Sequence, residues 1–130
     1  MPKYSTISIS QELLQTIFEG AKNLYPRETI LVLRGKKEQD VITVTDLLVP
    51  PLAKYGRGFA NLPMHMLPMD FSIVGTVHSH PSGNINPSSA DLNHFYGHVL
   101  MIVGSPFVDE RNVAAYNRNG ERLVVRVTAT

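Results

Sequence analysis

Residues 75 to 95 read GTVHSHPSGNINPSSADLNHF. An apolar run ends in His78 and His80, one residue apart, and a loop containing Pro81, Gly83 and Pro87 separates them from Ser88 and Asp91. Side chains alternate across a strand, so the two histidines share one face and Ser79 takes the other. Ser88 and Asp91 fall where a helix begins. Two imidazoles at a strand end, with a carboxylate in the first turn of the next helix, can hold one metal ion at Zn–N distances of about 2.0–2.1 Å. The same residues also suit a plainer role. Ser88-x-x-Asp91 is the spacing of a helix cap, with the acid favoured by the helix dipole.

The surrounding sequence predicts a strand at Phe71–His80, a short helix near 89–97 and a buried strand at Val99–Val103. Upstream, Ser10 is a candidate N-cap, with Ile9 and Leu14 at staple positions. Leu14, Ile17, Phe18, Ala21 and Leu24 recur at helical spacing, which predicts an amphipathic helix over 11–24, ended by Pro26. TILVLR at Thr29–Arg34 reads as a strand closed by Gly35, and Val41–Val49 as a second, stopped by Pro50 and Pro51. Residues 52–70, rich in Gly, Pro and Met, read as a long surface loop. The tail predicts a hairpin, Asn112–Tyr116 with Glu121–Thr128, turned at Asn119-Gly120. Helices and strands alternate at first and strands dominate later. The expected class is α/β: a single domain, 1–130, with one mixed β-sheet flanked by helices.

The chain has 130 residues, 43% hydrophobic, with a net charge of +1. That balance gives no electrostatic footprint for nucleic acid. There is no cysteine, so disulfides and thiolate metal sites are excluded and any metal must be held by His, Asp or Glu. The first residues, MPKYSTISISQ, lack the apolar run of a signal peptide, and no stretch has the length of a membrane span. A soluble cytoplasmic protein is the expectation.

The whole string, H-S-H-P, seven residues from His80 to Ser88 and two more to Asp91, with Glu28 upstream, resembles the JAMM (MPN+) metalloprotease family. That family's signature is Glu, then His-x-His, seven residues, Ser, two residues, Asp. Glu28, His78, His80, Ser88 and Asp91 match every position. The cysteine-free chain is similar to the stand-alone prokaryotic or archaeal members. It departs from many relatives at Ile30 and Leu31, where a cysteine and a glycine often stand, while Leu33 and Gly35 keep the end of the pattern.

The resemblance implies the JAMM/MPN (cytidine-deaminase-like) fold and one zinc per chain, held by His78, His80 and Asp91 with water in the fourth position. Glu28 would be the general base, and Ser88 would donate a hydrogen bond to the developing oxyanion. Ser79 reads as structural. It further implies a deubiquitinase-like isopeptidase whose partner is a ubiquitin-like small modifier protein or its conjugate. A peptidase trimming a sulfur-carrier tail is the alternative enzyme, and a catalytically silent MPN scaffold the alternative without activity. A zinc nucleoside deaminase would need H-x-E and P-C-x-x-C, and the chain has neither. In the 53–63 segment, Gly56, Gly58 and Phe59 are candidates for contact with an extended substrate tail paired to a sheet edge.

Overall fold

A computed structural model describes residues 3–49 and 72–129. The first element is a strand that the sequence reading does not assign, β1 (Thr6–Ser10), with Ile7 and Ile9 buried. Its alternation, TISIS, is too short to stand out beside the strong helix that follows. It becomes a strand by inserting between two partners far along the chain.

The helix α1 (Gln11–Leu24) has the predicted bounds. Ser10 caps it, accepting the Leu13 N–H at 3.1 Å, and Leu14, Ile17, Phe18 and Ala21 form its buried stripe. Strand β2 (Ile30–Glu38) runs past Gly35, the predicted stop. Gly35 marks an irregularity instead. There β2 shifts register against β3 (Val41–Leu48), and a Cβ would stand 2.0 Å from the Thr43 carbonyl oxygen. Only glycine allows that approach.

Strand β4 (Ile73–His80) is buried along almost its whole length. It lies between antiparallel β2 and parallel β5 (Val99–Gly104). Between them comes α2 (Ser89–Asn93), shorter than the predicted 89–97. It stops because the chain drops onto β4: the His98 N–H donates to the Val74 carbonyl at 2.8 Å, and Gly97 turns there with φ 83°. A short 3-10 turn (Glu110–Asn112) leads into β6 (Val113–Tyr116) and β7 (Arg122–Thr128). Asn119-Gly120 makes the turn as predicted, with Gly120 at φ 80°.

The strands form one mixed sheet in the order β1-β3-β2-β4-β5-β6-β7, closed by β1 pairing parallel to both β3 and β7. The α/β class with a mixed sheet and flanking helices therefore holds, and the closure is an addition to it. Alternate residues of β5 serve two cores. Val99, Met101 and Val103 join the cluster containing the buried face of α1, while Leu100 and Ile102 join Phe95, Ala114 and Tyr116 on the other side. His78 pairs directly with Ile102, so it faces the second side, where α2 lies. Among the described residues no helix is long and apolar enough to cross a membrane.

Candidate metal centre

Register brings the first acid into place. Ile30 pairs with His78, and the Ser79 N–H donates to the Thr29 carbonyl at 3.0 Å. Continuing that antiparallel step sets Glu28 opposite His80. On the other side of the strand end, the 81–87 loop returns the chain so that Asp91, in the first turn of α2, meets both imidazoles. Asp91 Oδ1 lies 3.2 Å from His78 Nδ1, and Oδ2 lies 3.3 Å from His80 Nε2. All three side chains are largely buried.

Ser88 and Asp91 complete a capping box. The Asp91 N–H donates to Ser88 Oγ at 3.0 Å, and the Ser88 N–H donates to Asp91 Oδ2 at 2.8 Å. The cap anticipated from spacing is thus present, and it orients the same carboxylate that faces the histidines. Ser88 spends its oxygen on the cap, which leaves its hydroxyl proton available to a further acceptor. Glu28, His80, Ser88 and Asp91 line one cleft of about 250 Å³ together with Ser82, Asn84, Asn86 and Pro87. Clefts of about 450 and 410 Å³ lie elsewhere, but neither joins two imidazoles to a carboxylate. Chemistry, not size, selects the site.

His80 is held by a second bond. Its Nδ1 lies 2.7 Å from the Asn84 carbonyl oxygen, so Nδ1–H donates there and Nε2 is the nitrogen turned to Asp91. Burial presses the His80 pKa down, but the Asp91 hydrogen bond, the Asn84 carbonyl and the charges of Asp91 and Glu28 outweigh it, and the net shift is up. Burial presses Asp91 up, but bonds from His78, His80 and the Ser88 N–H hold it well below the ordinary carboxylate range. Glu28 is raised: burial favours its neutral form, His80 opposes this, and Asp91 adds to it.

Two imidazole nitrogens and a carboxylate are the donor types of a catalytic zinc site. The two N···O separations, 3.2 and 3.3 Å, run to different oxygens of Asp91 and are those of hydrogen-bonded pairs. Among the described residues no three donors form a ready-made cage. Each Asp91 oxygen is turned to a different imidazole, so the three side chains engage one another directly. The donor types fit zinc, and a cation would take the place of the protons these groups share.

All five residues of the sequence signature converge here. Gly56, Gly58 and Phe59 lie outside the described residues. His94 bonds the Ala90 carbonyl at 2.8 Å and His98 lies by Lys37 at 3.4 Å, and neither lines the cleft. Asn84 and Tyr116 were not legible from the sequence. Asn84 acts through its backbone carbonyl, and Tyr116 donates its hydroxyl to the Ile85 carbonyl at 2.8 Å, pinning the loop to β6. A backbone acceptor leaves no residue-type pattern.

Residues 10–119 match the family model of prokaryotic homologs of the JAB domain. A Haloferax volcanii protein named "Probable metalloprotease" is 33% identical over 122 residues, 88% of this chain and 75% of that one. A JAB1/MPN domain protein from Archaeoglobus fulgidus has a similar structure, with 37% identity, TM-score 0.69 and coverage of 93% of this chain and 98% of that one. Another solved chain, described as a metalloprotease-like zinc site in the proteasome and signalosome, is 36% identical with TM-score 0.66, covering 97% and 99%.

Proposed function

The chain belongs to the prokaryotic JAMM/MPN metalloprotease family, and from that premise we propose that it is a zinc-dependent isopeptidase. Its substrate is the C-terminal tail of a ubiquitin-like small modifier, joined to a lysine amine, and it works in the cytoplasm. The observation that carries this reading is the shared cleft: Glu28, His80, Ser88 and Asp91 line it, and His78 reaches the same carboxylate.

His78, His80 and Asp91 are the residues that would hold zinc, which when bound supplies Lewis acidity and lowers the pKa of water to about 7. Glu28 takes the proton of the attacking water and passes it to the departing lysine amine. Its raised pKa suits a carboxyl that must hold that proton briefly near neutral pH. Ser88 donates its hydroxyl proton to the carbonyl oxygen as negative charge develops there. Asn84 keeps the Nε2 lone pair of His80 directed inward.

The test is incubation of the zinc-loaded protein with modifier–lysine conjugates from its own host, with and without chelator. Chelator-sensitive release of free modifier supports the reading. Release from a modifier bearing only a linear C-terminal extension would favour tail processing, and binding without cleavage would favour a scaffold.

A further inference from the structure

Ser79 stands between His78 and His80 but faces away from them, with 1% exposure. Its Oγ accepts the Thr29 N–H at 2.7 Å and the Thr29 hydroxyl at 3.0 Å, and its own N–H donates to the Thr29 carbonyl at 3.0 Å. Three hydrogen bonds therefore fix Thr29, the residue joined to Glu28. Regular pairing of β2 begins only at Ile30. Among the described residues no hydrogen bond or ion pair holds the Glu28 carboxylate itself, whose coupling to His80 and Asp91 is through space. The place of that carboxylate is set by its backbone, and Ser79 anchors the backbone.

We infer that Ser79 is a positioning residue: its hydroxyl clamps Thr29 and thereby aims Glu28 at the cleft from the same strand that carries both histidines. The inference rests on the reading of Glu28 as the base. One strand would then set the distance between base and metal ligands, His78 and His80 from one face and Glu28 through Ser79 from the other. Catalytic groups misplaced by about 1 Å lose up to roughly 10²-fold in rate.

The experiment compares wild type, Ser79→Ala, Glu28→Gln and the double variant, all zinc-loaded. The substrate is a host ubiquitin-like modifier linked through its C-terminal carboxylate to the ε-amine of a fluorescent lysine peptide. Ser79→Ala should keep zinc and KM, and lower kcat by on the order of 10-fold to 10²-fold. Its Thr29 amide should exchange with solvent up to about tenfold faster by NMR. In the Glu28→Gln background the same change should cost nothing further, because the group it aims is already disabled. An unchanged kcat in Ser79→Ala, or an equal loss in both backgrounds, overturns the inference. If Ser79→Ala does not fold, Ser79→Thr keeps the acceptor oxygen and should retain wild-type kcat. A folded, zinc-loaded Ser79→Thr protein that is slow also overturns it. If Glu28→Gln alone keeps the wild-type rate, the reading of Glu28 fails and the Ser79 inference falls with it, a result seen without touching Ser79.

Discussion

Ser88 and Asp91 hold each other by reciprocal hydrogen bonds, side chain to backbone in both directions, at 3.0 and 2.8 Å. The helix cap and the candidate metal ligand are therefore one device. Removing the cap acceptor should cost about 1 kcal/mol of stability. On the reading proposed here, Ser88→Ala should also lower kcat by on the order of 10²–10³-fold, as loss of an oxyanion donor does. Ser88→Asp separates the two roles. Aspartate is a good cap acceptor but has no proton to give at neutral pH, so Tm should return while kcat stays low. Recovery of both in Ser88→Asp, measured by thermal melting and steady-state kinetics, would reduce Ser88 to a cap.

Glu28→Gln should leave the fold and bound zinc intact and lower kcat by about 10²-fold or more, since the amide keeps its size but cannot accept the proton. Conjugate should still bind. Elemental analysis beside kinetics checks this. Loss of zinc would make Glu28 a ligand, and a wild-type rate would move the base elsewhere.

The shifted groups give the metal-free chain a definite pH response. The lowered pKa of Asp91 makes its contribution present above about pH 4 and lost as acid protonates it. The raised pKa of His80 makes its contribution complete below about pH 6.5 and lost as the pH rises through the folded value. Burying Glu28 as an anion acts in the same direction as His80. Tm without metal should therefore fall as pH rises, from about pH 4.5 where Glu28 begins to ionise and further from about pH 6.5 where His80 begins to lose its proton. Zinc needs neutral imidazoles, so the gain in Tm on adding zinc should grow over the upper part of that range. Scanning fluorimetry with and without zinc would contradict this if the gain shrank as pH rose.

Gly35→Ala should destabilise the fold by about 3 kcal/mol or more, because the methyl would meet backbone rather than a movable side chain. Chemical denaturation checks it. An unchanged midpoint would mean that the β2–β3 irregularity readily rearranges.

Much of this fold follows from local pattern. The helical period of Leu14, Ile17, Phe18 and Ala21 and the cap at Ser10 define α1 without reference to the rest of the chain. The convergence of His78, His80, Ser88 and Asp91 is legible because a strand, a loop of fixed length and a helix start translate spacing into position, whereas Glu28, fifty residues before His78, is legible only through the resemblance to the JAMM signature. Closure of the sheet was not legible. Thr6–Ser10 is a strand only through parallel pairing with β3 and β7, and long-range pairing leaves no mark on a five-residue run. Gly35 looked like a stop for a similar reason, since its role appears only once Thr43 is opposite. Asn84 acts through a carbonyl that every residue has.

The central claim is that His78, His80 and Asp91 hold zinc. The most direct measurement is the zinc content of purified protein, after weakly bound metal is removed, for wild type beside His80→Ala with circular dichroism to verify folding. The account predicts one zinc per wild-type chain and close to none in a folded His80→Ala protein. A wild-type content near zero, or an unchanged content in the variant, would contradict it.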